Sequence, residues 1–323
     1  MHDETVLNPS VHATVLNPAL AQATVVNPNL AGGAEPTIAA GTVLDGKYEI
    51  VQPLHTATGE ADLYLCTHNG TAYVVKLYRR QQAVKPEVLS TLKSIQSPYV
   101  ASLVDTGTYQ GLPFEVLPYY KNGSLQGKTF SFAELKQTVI PCINEALHVL
   151  HQNGIIHKDL KPSNLMLWDD QKGVALIDFG ISSVVETEHT VLVTQTGMTP
   201  EYSAPETFRN LFLAESDYYS FGITLYELYC GDTPYQNMSA EEIAQYTAVQ
   251  CLPFPKNMPK ELQELISAVT YFDITNRHNK ENPNRRWTYA EVQDWCDGKR
   301  QILPGEGGGM VGGKGIPPYA FLG

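Results

Sequence analysis

Ile156-His-Lys-Asp-Leu-Lys-Pro-Ser-Asn164 is the stretch on which the reading of this chain turns. It places a carboxylate (Asp159), an ammonium (Lys161) and a carboxamide (Asn164) within six residues. An amphipathic helical pattern runs up to it from Phe132 to His151. A polar loop after such a helix is the bland interpretation, but too many positions are specified at once for coincidence. Val174-Ala-Leu-Ile-Asp-Phe-Gly180 reads as an apolar strand that delivers Asp178, nineteen residues beyond Asp159, to its end. Gly197-Met-Thr-Pro-Glu-Tyr-Ser-Ala-Pro-Glu206 follows, and then a second helical pattern from Asp217 to Tyr229.

Working outward, the segments before the central stretch are β-rich. Tyr48 to Val51, Asp62 to Cys66, Ala72 to Tyr78 and Pro113 to Tyr120 are dense in β-branched and aromatic residues, with one helical pattern between them from Glu87 to Ile95. After Lys121 the character is helical, ending with Lys260 to Tyr271. A β-rich part followed by an α-rich part predicts an α+β chain with two lobes. The predicted organisation is a disordered tail over 1–40, a folded domain over 41–300 with lobes of about 47–120 and 121–300, and a glycine-rich linker over 301–323.

Composition narrows the class. Of 323 residues, 43% are hydrophobic and 17% charged, as in a globular protein. The net charge of −12 gives no overall field to attract nucleic acid or anionic lipid. The five cysteines form no CxxC pair, so the expectation is reduced thiols in a cytoplasmic protein, without disulfides or a zinc site. No apolar run reaches membrane-spanning length, and the first Lys or Arg is Lys47, which does not suit a secretory signal.

Moving a phosphoryl group to a hydroxyl requires a carboxylate to orient the nucleophile and take its proton, a cation near the migrating charge, and a metal ligand. Asp159, Lys161 and Asn164 fit those three roles. The segment resembles the catalytic loop of the protein kinase family, usually His-Arg-Asp-Leu-Lys-Pro-x-Asn, and the chain as a whole is most similar to the eukaryotic-like Ser/Thr kinases of bacteria. The resemblance covers residues 41 to 300. It implies a two-lobed kinase-like fold that transfers the γ-phosphoryl group of ATP, with Mg2+ (or Mn2+), to Ser or Thr of protein substrates. It implies that Asp178, like Asn164, binds the metal. Thr199 would sit beside the substrate hydroxyl. Glu206 would pair with Arg286, in Asn282-Pro-Asn-Arg-Arg-Trp-Thr288, and Asp217 would brace the catalytic loop. Val74-Val-Lys76 is similar to the strand whose lysine contacts the nucleotide phosphates, with Glu87 as the implied partner of Lys76. Leu117 would back the adenine pocket, and Tyr119 would lie in the hinge, where Pro118 replaces the usual acid.

Two departures carry consequences. The phosphate-covering loop, Leu54-His-Thr-Ala-Thr-Gly-Glu-Ala-Asp-Leu-Tyr64, keeps only Gly59, where the family has three glycines whose backbone approaches the phosphates. That keeps open a second reading, a pseudokinase scaffold, and a small-molecule kinase is a third. Lys158 stands where the family has an arginine that often grips a phosphorylated activation segment. Lysine cannot fork onto a phosphate, so activation should depend less on phosphorylation of Thr190, Thr194 or Thr196 than in typical members of the family.

The tail repeats Thr5-Val-Leu-Asn-Pro9, Thr14-Val-Leu-Asn-Pro18 and Thr24-Val-Val-Asn-Pro28, with a weaker copy at Thr37-Ile38. Asn-Pro breaks helix, and the segment has too few large side chains to offset its ordering entropy. It is either a spacer or a row of phosphorylation sites at Thr5, Thr14 and Thr24, open to autophosphorylation. Forkhead-associated domains read phosphothreonine and the residue three positions on, here Asn8, Asn17 or Asn27, which makes such a protein a candidate partner.

Overall fold

The structure is a computed structural model that describes residues 38–54, 61–79, 86–178, 183–184, 191–192, 199–248, 251–299 and 301–305. Thr5, Thr14, Thr24, Gly59, Thr190, Thr194 and Thr196, with most of the 301–323 segment, lie outside them. The chain divides into two compact units, with the division between Lys121 and Asn122.

The first unit is a six-stranded antiparallel sheet with one helix. Its elements are β1 (Val43–Leu44), β2 (Tyr48–Leu54), β3 (Ala61–His68), β4 (Thr71–Tyr78), α1 (Pro86–Ser94), β5 (Asp105–Tyr109) and β6 (Leu112–Pro118), and the strand order is β1-β2-β3-β4-β6-β5. Two tight turns set the register. Asn69-Gly70 joins β3 to β4 and Gln110-Gly111 joins β5 to β6, all four residues at positive φ. Such a two-residue turn matches the twist of the strands it joins, and asparagine and glycine tolerate that backbone. Pro53 is accommodated inside β2 because β1 pairs only with Tyr48 and Glu49, which leaves the Pro53 side of the strand an edge.

Alternation then sorts the side chains. Tyr64, Cys66, Val75, Leu77, Phe114 and Val116 fall on one face and form the core with Ile38, Leu44, Tyr48 and Ile50. Ile38, only 1% exposed, therefore belongs to the folded unit, although the repeat pattern places it in the tail. Gly107 in β5 is where the Phe114 ring crosses, because a Cβ there would lie 2.4 Å from its Cζ. Lys76, Glu115 and Leu117 fall on the opposite face.

The second unit is helical. The expected helix from Phe132 to His151 is made in three pieces: α2 (Phe132–Glu134), a π-helical turn over Leu135–Val139, and α3 (Ile140–Gln152). Pro141, in the first turn of α3, has no N–H to donate to the preceding turn and its ring crowds the carbonyl four residues back, which the wider π turn relieves. Short strand pairs follow: β7 (Ile155–Ile156), β8 (Leu165–Leu167) with β9 (Val174–Leu176), β10 (Ser183–Val184) with β7, and β11 (Val191–Leu192) with β12 (Leu211–Phe212).

Next come α4 (Ala214–Cys230), α5 (Ala240–Thr247), α6 (Lys260–Val269) and α7 (Tyr289–Cys296). Helix α4 is buried on all sides from Ser216 to Leu228, which makes it the central helix of the unit. Gly222 lets α6 approach it, since a Cβ there would lie 2.4 Å from Thr270 Cγ2 and 2.8 Å from Val269 Cγ2. Gly231, at φ 90°, ends α4 in the left-handed conformation. Among the described residues no helix is long and apolar enough to cross a membrane.

Candidate active site

In the second unit, β7 leads directly into the Ile156–Asn164 stretch, and its shape is dictated from behind by Asp217 at the start of α4. The Asp217 carboxylate is fully buried. One oxygen accepts the backbone N–H of Lys158 at 2.8 Å. The other accepts the backbone N–H of His157 at 2.9 Å and a hydrogen bond from His151 Nε2 at 2.8 Å. Burial pushes this carboxyl upward. The hydrogen bond and charge of His151, then the backbone donors, outweigh it and hold the group below the ordinary carboxylate range. The same donors hold Lys158 at φ 71°, a left-handed backbone that a lysine does not adopt unless its surroundings determine it.

His157, completely buried, ties the loop to the following hairpin. Its Nδ1 accepts the Asp159 N–H at 3.2 Å while Nε2 lies 3.0 Å from the Ile177 carbonyl, an arrangement that places the ring proton on Nε2.

Asp159 sits at the centre of a compact network. Thr199 Oγ1 donates to Asp159 Oδ1 at 2.9 Å. Lys161 Nζ lies 2.7 Å from Asp159 Oδ2 and donates to Thr199 Oγ1 at 2.8 Å. Asn164 Nδ2 donates to the Asp159 carbonyl at 2.7 Å and to Oδ2 at 3.1 Å. The β8–β9 pair brings Asn164 and Asp178 to one end of the same ladder: Asn164 precedes β8, Asp178 closely follows β9, and Ile177 N–H donates to the Asn164 carbonyl at 2.9 Å. Asp178 has φ 66°, in the left-handed region like Lys158.

Glu206 and Arg286, 80 residues apart, form a buried bidentate pair, with Nη1–Oε1 2.6 Å and Nη2–Oε2 3.2 Å. The remaining guanidinium donors reach the Glu215 carbonyl at 2.9 Å and the Tyr271 carbonyl at 2.8 Å. Ser216 Oγ adds a donor to Glu206 Oε1 at 2.7 Å. Every face of the ion pair is thus met, the condition under which a buried charge pair is tolerable. Nearby, Tyr202 donates to Glu227, whose carboxyl burial pushes above the ordinary range.

In the first unit, Lys76 lies buried on β4, on the same face as Leu117, since Val74 pairs with Leu117 and Lys76 with Glu115. Tyr119 follows β6 and is half-buried. Glu87 is placed differently from the expectation. It is exposed in the first turn of α1, while Val88 and Leu92 are the residues that the helix turns inward. The structure therefore does not bring Glu87 to Lys76; it stands as an acid favoured by the helix N-terminus. His151 stands in the sequence only as the end of the Phe132–His151 helical pattern. Its position on a helix face holds no hint of the carboxylate it meets 66 residues later.

A family model described as the protein kinase domain matches residues 57–293. The chain belongs to the protein kinase domain family. Among similar proteins is CBL-interacting serine/threonine-protein kinase 8 of Arabidopsis thaliana, 27% identical over 267 residues, which are 77% of this chain and 56% of that protein. The DNA damage-responsive serine/threonine-protein kinase RqkA of Deinococcus radiodurans is 27% identical over 266 residues, 74% of this chain and 38% of its own length. The probable serine/threonine-protein kinase pknA2 of Bifidobacterium longum is 28% identical over 216 residues, 60% and 28% respectively. The chain spans between about a quarter and three-fifths of the length of these relatives.

Proposed function

We propose that this chain is a Ser/Thr protein kinase acting on protein substrates. The observation that carries the reading is the set of contacts around Asp159. Its Oδ1 already receives a hydrogen bond from a threonine hydroxyl, that of Thr199, so the carboxylate is aimed to orient such a group and take its proton. Lys161 bridges Asp159 and Thr199 and places a positive charge where charge migrates during transfer. Asn164 has its Nδ2 committed to Asp159, so Oδ1 is the atom that turns to a cation. With the Asp178 carboxylate this makes an oxygen-only donor set, which suits Mg2+ and also Mn2+. Lys76 would hold nucleotide phosphates, with Leu117 and Tyr119 beside the base and Gly59 in the covering loop. When bound, MgATP supplies an electrophilic γ-phosphoryl group and ADP as the leaving group.

The step balances simply. The acceptor hydroxyl oxygen bonds to the γ-phosphorus, the bond from that phosphorus to the bridging oxygen breaks, and the hydroxyl proton goes to Asp159. We further propose that the chain phosphorylates itself at Thr5, Thr14 and Thr24, making docking sites for a forkhead-associated domain.

The test is intact mass of the purified chain after MgATP, beside Asp159→Asn. Added phosphate in the wild type alone supports the reading, and its mapping tests the tail. The Asp159→Asn variant should fold normally and lose about 10²- to 10⁴-fold in kcat on a peptide. No phosphate in the wild type, together with no MgATP-dependent rise in melting temperature, would favour a scaffold instead.

A further inference from the structure

Phe212 holds two segments at once. Its backbone pairs with Val191 in the β11–β12 ladder, so it anchors part of the chain between Asp178 and Thr199. Its ring, 3% exposed, centres 4.9 Å from the Lys158 ammonium, within the range of a cation–π contact. Lys158 is the residue before Asp159, and Asp217 fixes its backbone at φ 71°. The local chain explains why Phe212 arrives there. The turn over Pro205–Arg209 ends at Asn210, which takes a left-handed backbone (φ 61°) that asparagine tolerates, and its N–H returns to the Glu206 and Thr207 carbonyls. On the far side of β12 the Leu213 N–H donates to Ser216 Oγ at 3.1 Å, so the strand is held at both ends. A small cavity beside the contact is bordered by Lys158, Phe212, Ser203, Thr207 and Asp217. The catalytic loop, the segment that follows Thr199 and β12 therefore converge on this place.

We infer that Phe212 is a positioning residue for the catalytic loop. Through its backbone it holds the activation segment, and through its ring it holds the residue that precedes the Asp159 base. This rests on the kinase reading only for what the loop does once placed. An ammonium cannot fork onto a phosphate, but the face of an aromatic ring suits it. The tie is made of unmodified side chains, so it is present before any phosphorylation of the segment.

The test uses the full chain after treatment with a protein phosphatase, as wild type, Phe212→Leu, Phe212→Tyr, Lys158→Met and the double variant Phe212→Leu/Lys158→Met. Leucine keeps much of the apolar bulk and loses the π face, whereas tyrosine keeps the face. One readout, which needs no turnover, is amide hydrogen exchange in the peptides that carry His157–Lys158 and Val191–Leu192. Phe212→Leu should speed exchange in both by about threefold or more, and so should Lys158→Met, although that change is made outside the activation segment. The double variant should exchange no faster than the faster single, because each single removes the same contact. The other readout is peptide phosphorylation. In Phe212→Leu kcat should fall about three- to tenfold with the KM for MgATP unchanged, and Phe212→Tyr should keep the wild-type kcat. A merely structural role for the ring would not couple it to Lys158. Additive exchange in the double variant, an unchanged Val191–Leu192 peptide in Lys158→Met, or a kcat that tyrosine does not preserve would overturn the inference. Where Phe212→Leu does not fold, Lys158→Met decides by its effect on Val191–Leu192. Coupled exchange without phosphoryl transfer by the wild type would instead overturn the kinase reading and leave the tie standing.

Discussion

Replacing Arg286 by Leu should be the most damaging single change in the second unit. The guanidinium makes two hydrogen bonds to Glu206 and one each to the Glu215 and Tyr271 carbonyls, and its side chain is completely buried. Leucine removes all four and leaves the Glu206 carboxylate, 6% exposed, with only Ser216 as a donor. Breaking one partner of a buried pair costs about 3–5 kcal/mol, because the remaining charge is uncompensated. For a unit of this size that corresponds to a fall of roughly 6–20 °C in melting temperature, at about 2–4 °C per kcal/mol. Trp168, Trp287 and Trp295 all lie in the second unit, and Trp287 adjoins Arg286, so urea unfolding followed by tryptophan fluorescence reports on the right part of the chain. The companion variant Arg286→Met/Glu206→Leu removes both charges and should recover much of the loss. A loss below about 1 kcal/mol in the single variant, or a double variant no more stable than the single, would refute the account of this pair as a fully satisfied buried clamp.

Asp217→Asn should destabilise the chain in a pH-dependent way. The folded-state carboxyl is held below its unfolded value, so its contribution is fully present above the ordinary carboxylate range of about 4 and is lost as pH falls through the lowered folded value. The gap between wild-type and variant urea midpoints should be flat from about pH 7 to 5 and shrink below about pH 4; a gap constant to pH 3 would contradict it. Gly222→Ala should cost about 1–3 kcal/mol by pressing a methyl into Thr270 and Val269, read as a lower urea midpoint. Changing Thr190, Thr194 and Thr196 together to Ala should leave at least about half of the kinase activity, because Lys158 is a point charge that cannot fork onto a phosphate. It is held 4.9 Å from the Phe212 ring centroid. Abolished peptide phosphorylation in a folded triple variant would sink that expectation.

Much of the site is legible in the sequence because its parts are contiguous. Asp159, Lys161 and Asn164 lie within one loop, and a loop of fixed composition brings its own residues together whatever surrounds it. The strand patterns of β3, β4 and β6 were legible through their β-branched and aromatic residues, and α4 through its helical pattern. β5, Asp105–Tyr109, was not read: Asp-Thr-Gly-Thr-Tyr has little apolar signal, and it is a strand because β6 pairs with it and Phe114 packs over Gly107. The helices α5 and α7, eight residues each, are too short for periodicity to announce them, and their capping boxes at Ser239–Glu242 and Thr288–Glu291 were the signals available.

What remained for the tertiary structure was every decision that depends on phase or register. The sequence by itself determined that α1 opens with an acid after a strand bearing Lys76. A helix advances about 100° per residue, so which of Glu87 and Val88 faces the sheet is set by how the helix seats, and the seating turns Val88 inward. The sequence likewise contains Glu115 amid apolar residues, yet its place depends on strand register, where a slip of one residue would move it to the other face. Short-range spacing is inherited from covalent geometry, whereas the opposition of His151 to Asp217 and Arg286 to Glu206 exists only once distant segments have packed and water has been excluded between them.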